Sequence, residues 1–498
     1  MAAAHGGGDR LSALPDATLA RILSHLPTDE AARTSALSRR WRHVHAAVPV
    51  VHLVDGKIDC REHHVDDPPA CFEHKVAGAL LCRDPRAPIR ALRLDVFHPT
   101  VPLLDQWLLI ALDAGADEVD VKLRYWNFPR RRLCPFGPHE DSSGDFDYQI
   151  VRPCVGTPAR LFRSATLRRL RLTQWTLDVP RDVPSFPSLE TLVLERIMAR
   201  GDALQRLVSG CPNLAALTLE ECPAATEVAV PSARLRSFAM ACCHQATGVV
   251  LETPRLRALS YKGGLPPPGT RTPFFSLRRH GGVASLTVDI CEDLSQRRRS
   301  DVAAVTELIG RCANLTSLHL ALRPEMAYYS TQFAGALRGL RRLTQLELTG
   351  CLDNDDSVAA VAAVLRSTRK LEVLSLFPLP PDPRAKKKTH YFSDSDSNFE
   401  MGVAGDENDG DYRGNVHVPR RVRNTEISCF RHRLRRINLV GYGGRRFEKV
   451  LAKFLLSEAA ALEKVSVSMA PQLLERRHEV AEELKSWRRN PRTRVTSE

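Results

Sequence analysis

The sequence predicts an α/β solenoid, with parallel strands on a concave face and helices outside, preceded by a small all-helical module. Three observations carry this: an apolar motif that recurs at nearly constant spacing, an apolar period that changes from 2 to about 3.6 between its copies, and an opening stretch built unlike the rest. A length of 498 residues leaves room for a repeat array or for several domains. Hydrophobic residues at 43% and charged residues at 26% are ordinary globular values, which excludes collagen-like, mucin-like and wholly disordered chains.

Residues 9–50 form the helical module. Leu19, Ile22, Leu23 and Leu26 follow the i, i+3, i+4, i+7 spacing of one helix face, and Asp16 after Pro15 is placed to accept from the free amides at the helix start. Pro27 stops that helix, a second runs from Asp29 to Leu37, and a third opens near Ser38 with Arg39, Arg40, Trp41 and Arg42. A unit of this size buries little surface alone, so it docks on a neighbour or presents an apolar face to a partner. Residues 51–86 read as a connecting helical segment, with a helix from Phe72 to Leu81.

Residues 87–377 carry the repeats. The pattern L-x-x-L-x-L, with apolar substitutes, begins at Leu167, Leu189, Leu214, Leu235, Leu256, Val283, Leu315, Leu343, Leu371, Leu434 and Leu462. Successive spacings are 22, 25, 21, 21, 27, 32, 28, 28, 63 and 28, and all but two lie in the range of about 20 to 29 residues that marks leucine-rich repeats. Ile89, Leu92 and Leu94 form a further copy, and Ala116, Val119 and Val121 a weaker one. Between copies, runs such as Leu204, Leu207, Val208 and Val358, Val361, Leu365 have helical spacing, so each repeat is read as one strand and one helix. Cys222, Cys243 and Cys351 fall where such repeats place Asn or Cys, which makes them small packed hydrophobes rather than reactive thiols.

The spacing of 63 marks an insertion over 378–427. It opens with Pro378, Pro380, Pro381 and Pro383, continues with Lys386, Lys387 and Lys388, and between Ser393 and Asp411 carries only acids among its charges, which reads as a disordered acidic loop. The lysine triplet fits a solvated linker better than a nuclear localisation patch, and Ser393 and Ser397, each with an acid three residues on, are conceivable phosphorylation sites. Residues 428–470 hold the last repeats, and 471–498 a basic tail read as helical, with Arg476, Arg477, Lys485, Arg488, Arg489, Arg492 and Arg494.

The stretch Leu14 to Pro27, reading L-P-D-x-x-L-x-x-I-L-S-x-L-P, and Thr34 to Arg42 after it, resemble the F-box in its plant form. The resemblance implies binding to the Skp adaptor, and through it to the cullin, of a cullin-RING ubiquitin ligase, with Leu14, Pro15, Leu19, Ile22, Leu23, Leu26, Leu37 and Trp41 as contacts. Pro158 to Leu167, Phe186-Pro187-Ser188-Leu189 and Ser209 to Leu214 are similar to plant F-box proteins with leucine-rich repeats. Cys429 to Glu463 resembles the FBD region of that family, so 428–470 is FBD-like. Departures are the acidic insertion and His43-Val44-His45, where relatives more often carry an aromatic residue.

Other features offer chemistry less convincingly. Cys60, His63, Cys71 and His74, with His64 and Cys82 nearby, supply zinc-ligand types, but the linker between the pairs is short for a finger, so no metal is expected. Gly441-Tyr442-Gly443-Gly444 follows a strand and precedes a helix, as phosphate loops do, but Arg446 stands at the third glycine position, and a repeat turn is the better reading. No Ser/His/Asp, Cys/His or paired-carboxylate set stands in register, so no catalytic residue and no cofactor is expected.

Net charge is +13, yet the solvent-facing strand centres Arg171, Val193, Thr218, Ala239, Ser260, Thr287, His319, Glu347, Ser375, Asn438 and Ser466 include one arginine. That row suits a protein partner rather than nucleic acid, and Thr218, Ser260, Thr287 and His319 are the expected target contacts. The longest apolar runs are far short of a membrane span, thirteen cysteines without a signal-like start point to reduced thiols, and the nucleus or cytoplasm is the expected location. The expected role is a substrate receptor of an SCF-type ligase, with an interaction scaffold outside any ligase as the alternative; nothing supports a small-molecule glue.

Overall fold

The computed structural model describes residues 11, 13–56, 72–84, 86–125, 134, 155–182, 186–265, 274–278, 282–294, 303–326, 331–379, 414–423 and 426–497. Its helical module consists of α1 (Asp16–Leu23), α2 (Thr28–Arg33), a 3-10 turn at Thr34–Ala36 and α3 (Arg39–Ala46). Pro15 holds an extended backbone at the entrance to α1, as its ring requires. Asp16 does not cap that helix; its carboxylate instead accepts from Nε of Arg40 at 2.8 Å, tying α1 to α3. Ser38 does cap α3, its hydroxyl accepting from the Trp41 amide at 3.4 Å. Leu19, Ala20 and Leu23 close on Ala31, Val44 and Val48, with Leu14 and Trp41 packed against that cluster.

The chain continues through β1 (Val50–Val54), α4 (Phe72–Leu81), β2 (Ala91–Phe97), α5 (Val101–Asp113), β3 (Glu118–Arg124), β4 (Arg169–Thr173), β5 (Thr176–Leu177), β6 (Thr191–Glu195), β7 (Met198–Ala199), α6 (Ala203–Ser209), β8 (Ala216–Glu220), β9 (Glu227–Val230), β10 (Ser237–Ala241) and β11 (Gly248–Glu252). Then follow β12 (Ala258–Gly263), β13 (Phe275–Arg278), β14 (Ser285–Asp293), α7 (Ala303–Arg311), β15 (Ser317–Glu325), α8 (Thr331–Arg338), β16 (Gln345–Cys351), α9 (Asp355–Ser367) and β17 (Val373–Leu379). The last elements are α10 (Arg420–Arg423), α11 (Ser428–His432), β18 (Arg436–Tyr442), α12 (Arg446–Glu458), β19 (Lys464–Met469), α13 (Arg477–Ser486) and β20 (Arg494–Ser497).

Two compact units are present: Met1–Leu133 with Pro138–Pro254 and Leu277–Arg279, and Cys134–Gly137 with Arg255–Ser276 and His280–Glu498. In the first, the strand order is β1-β2-β3-β4-β6-β8-β10; in the second it is β12-β14-β15-β16-β17-β18-β19-β20, parallel throughout. This is a leucine-rich-repeat solenoid following an F-box-like helical module. The two leucines of each strand point to one face, as Leu192 and Leu194 do at 0% exposure, while residues between them face solvent.

The strand ends of the first unit share a further device. His98, Gln174, Arg196, Glu221 and Cys242 each follow a strand with positive φ, a conformation that costs an L-residue roughly 1–2 kcal/mol. What holds four of them is the ladder itself: His98 donates to the Arg124 carbonyl at 2.8 Å, Gln174 to Glu195 at 2.9 Å, Arg196 to Glu220 at 2.8 Å and Glu221 to Ala241 at 2.7 Å. Each of these four thereby adds a bond to the next repeat while turning the chain out of the sheet.

Several expectations need correction. The segment read as helical from 51 opens with a strand, β1, whose His52 amide donates to Thr28 Oγ1 at 2.8 Å and so fastens the helical module to the sheet. The rule of one strand and one helix fails after β8 and β10, where the returning chain forms β9 and β11, paired parallel from Gly248↔Glu227. Repeats of 21 residues leave too little chain for a multi-turn helix, and Glu227 to Val230 alternates with period 2. At the insertion, Pro378 is still in register with Gly350, and Val416, Val418, Val422 and Ile427 are buried, so both ends of 378–427 belong to the folded solenoid; its acidic stretch lies outside the described residues. The tail, read as helical, returns to the sheet in β20, with Thr496 opposite Ser466. Among the described residues no helix is long and apolar enough to cross a membrane.

Candidate protein-interaction site

The helical module divides the predicted adaptor contacts into two groups. Leu19 and Leu23, one turn apart, face inward at 1% and 3% exposure, and Leu14 and Trp41 pack onto the same cluster. Leu19 and Leu23 are therefore corrected from contacts to supports: their surface is spent on α2 and α3. Ile22, Leu26 and Leu37 instead stay 43%, 36% and 69% exposed, Ile22 at the edge of the same apolar stripe as Leu19 and Leu23, and Pro15 is exposed as well. Leu11, 54% exposed, joins this apolar set although the motif reading passed over it; its only sequence signal is a leucine ahead of the first helix. Single exposed leucines are unremarkable, but four large apolar side chains exposed on one short module exceed that. Behind the module, Asp16, Arg21, His25 and His43 face Asp84 and Arg90 across a cavity of about 920 Å³.

On the polar face of the sheets, register assembles what the sequence scatters, although Ser375, expected to face solvent, is buried at 5% exposure. In the second unit Ser260, Thr287, His319, Glu347, Ser375, Asn438, Ser466 and Thr496 form one row across adjacent strands. His319 is its most elaborated member: Nε2 lies 3.2 Å from Thr349 Oγ1, Nδ1 3.7 Å from a Glu347 carboxylate oxygen, and the ring stacks on Phe377 with centroids 5.9 Å apart. Asn438 Nδ2 donates to Ser375 Oγ at 3.0 Å. Thr218 occupies the corresponding row of the first unit between Val193 and Ala239. Thr349 and Phe377 were missed because they lie two positions beyond the row centre, which only the pairing of β15, β16 and β17 shows.

The remaining chemical candidates resolve into structural roles. The Gly441–Gly444 turn does present amides at the start of α12, but the chain's own Glu448 fills the place, accepting from the Gly443 amide at 2.7 Å and from Arg445 at 3.4 Å. Burial pushes the Glu448 carboxyl up, opposed by Arg445 and those amides. Of the proposed zinc ligands, Cys60, His63, His64 and Cys71 lie outside the described residues. Cys242 and His244 in the first unit offer ligand atoms within 4.8 Å of each other, as do Cys134 and Cys291 in the second; each pair alone is half of a tetrahedral set. Cys222 Sγ donates to the Leu194 carbonyl at 3.3 Å and Cys243 Sγ to Leu219 at 3.8 Å, and burial pushes Cys211 up to about 12 and Cys312 to about 11. Thiols held so far above neutrality are poor nucleophiles.

A helical module with exposed apolar side chains, followed by parallel leucine-rich repeats, is the arrangement of F-box and leucine-rich-repeat proteins. Family models agree: the F-box domain matches residues 11–44, the FBD residues 424–467, and "FBD-associated F-box protein At5g56370, LRR repeats" residues 145–274. The F-box/FBD/LRR-repeat protein At4g26340 of Arabidopsis thaliana is 26% identical over 92% of this chain and 92% of its own length. F-box protein At5g03100 of the same plant is 29% identical over 45% of this chain, the match spanning 59% of that relative; putative F-box/LRR-repeat protein At5g02700 is 28% identical over 43%, spanning 39% of its length. Among solved structures, "Crystal structure of TLR13-ssRNA13 complex" matches at 14% identity over 62% of this chain and 50% of that chain with a TM-score of 0.23, too slight a likeness to bear on the fold. The chain thus carries an F-box, leucine-rich repeats and a carboxy-terminal FBD region, and resembles plant F-box/FBD/LRR-repeat proteins.

Proposed function

We propose that this chain is the substrate receptor of an SCF-type cullin-RING ubiquitin ligase. The F-box holds the Skp adaptor, which brings the cullin, while the repeats hold a target protein. The observation that carries the reading is the outward set Ile22, Leu26 and Leu37, a third or more exposed on a module whose inner face is already satisfied. The chain acts without chemistry of its own: tethering a target beside the charged conjugating enzyme raises its effective concentration until transfer is nearly intramolecular. The polar row with Ser260, Thr287 and His319, and Thr218 in its own unit, are the surfaces offered to the target.

Co-purification of the chain with a plant Skp adaptor tests the reading. Leu14→Ala would disturb the module's packing, so the informative variant is Ile22→Ala with Leu37→Ala, which touches only exposed side chains. Parent binding that this variant loses by tenfold or more supports the receptor role; no binding by the parent overturns it and leaves an interaction scaffold outside any ligase.

A further inference from the structure

The first unit pairs its charges between neighbouring strands. At the strand starts Arg169 lies 3.6 Å from its register partner Glu118, whose carboxylate also takes Arg93 at 2.7 Å, and further along Lys122 faces its register partner Asp95 at 3.5 Å. At the corresponding edge of the second unit the cations stand together. Arg436, Lys464 and Arg494 are mutual register partners on β18, β19 and β20. Arg342, Lys370 and Arg433 each precede by three residues the register partners Gln345, Val373 and Arg436 on β16, β17 and β18. All six are exposed, and among the described residues none has an ion pair. Glu463, the acid beside Lys464, is taken by Arg435 at 3.3 Å. Like charges directly opposite on neighbouring strands repel, so this arrangement opposes folding and calls for a counter-charge from outside.

Resting on the reading of the repeats as a target-binding surface, we infer that this edge binds an acidic, Asp- and Glu-rich segment of the target protein in extended form. Five strands at about 4.8 Å span about 19 Å, the length of about six extended residues at 3.3 Å each. The row beside Arg436, Lys464 and Arg494 consists of Asn438, Ser466 and Thr496, which supply neutral hydrogen-bonding groups suited to a peptide backbone. No aromatic side chain stands in either row, and single-stranded nucleic acid would need such stacking platforms.

The test is fluorescence anisotropy with the full chain and labelled deca-glutamate, beside deca-glutamine and a ten-nucleotide oligothymidine. Deca-glutamate is expected to bind and deca-glutamine not to. The triple change Arg436→Glu, Lys464→Glu, Arg494→Glu should weaken binding at least tenfold, and the milder Arg436→Gln, Lys464→Gln, Arg494→Gln, which relieves the repulsion, at least threefold with a melting temperature no lower than the parent's. Tighter binding of the oligothymidine, no binding of deca-glutamate, or undiminished binding by both variants overturns the inference. Adaptor co-purification on the same preparations separates the two claims: a parent that binds the adaptor but not deca-glutamate sinks this inference alone, whereas an adaptor-blind parent that still binds deca-glutamate sinks only the receptor reading.

Discussion

Helices α1 and α12 are both amphipathic, yet they meet solvent differently. In α12 the surroundings cover nearly everything: Val450, Leu451, Phe454, Leu455 and Leu456 are buried, and so are Glu448 and Lys449. Lys449 reaches Glu483 at 2.9 Å to satisfy its charge. In α1, Leu19 and Leu23 are covered while Ile22, at the edge of the same apolar stripe, is left out. A helix that the fold needs is covered over its whole apolar stripe and accommodates even its polar residues; a helix whose stripe is covered only in part leaves apolar surface for a partner to cover.

The comparison can be broken most forcefully at Leu455→Ala. With the side chain at 0% exposure, the change should cost about 2–5 kcal/mol, seen as a clear drop in the denaturant midpoint. Leu37→Ala should do the reverse, leaving stability within about 0.5 kcal/mol and weakening adaptor binding by about tenfold, roughly 1.4 kcal/mol. Equal losses of stability in both would erase the distinction. Glu448→Gln sharpens it. Burial holds that carboxyl above the ordinary range, so ionising it opposes folding increasingly as pH rises through the raised value, and the penalty vanishes below the ordinary carboxylate range. The amide keeps an oxygen for the Gly443 amide, so the variant should change stability at neutral pH by only about 1 kcal/mol and flatten its pH dependence above the ordinary carboxylate range in urea titrations. The smallest effect is expected at Arg168→Ala. Its partner Glu190 is 3.4 Å away with both side chains more than half exposed, and removal should shift stability by about 0.5 kcal/mol or less.

Much of this architecture was legible because a buried strand repeats its constraint. Leu192 and Leu194, or Leu346 and Leu348, must alternate with solvated residues for a parallel face to form, and chain order places one such pair per repeat. The return segments were not legible in the same way. Nothing in a spacing of 21 says that Glu227 to Val230 will pair with Gly248 to Leu251 until the strands on either side have fixed where the chain must come back. In the F-box the motif located the helices, but it could not separate Leu19, which holds the module together, from Leu37, which does not. That difference depends on where α3 crosses α1, set by Val44, Trp41 and the pair between Arg40 and Asp16. Charge pairing was the least legible layer, since Arg93 and Glu118 are separated by 25 positions and meet only through register.

The thiols that line the helix ends have a use for the experimenter. Cys211 donates to the Leu207 carbonyl at 3.2 Å and Cys429 to Leu365 at 3.9 Å, and neither they nor Cys312 meet water, whereas Cys82 is exposed. An alkylating reagent should therefore mark Cys82 at once and the others only when their own repeat opens. Read by peptide mapping over time, Cys211, Cys312 and Cys429 become separate clocks in three different repeats, reporting which of them lets go first.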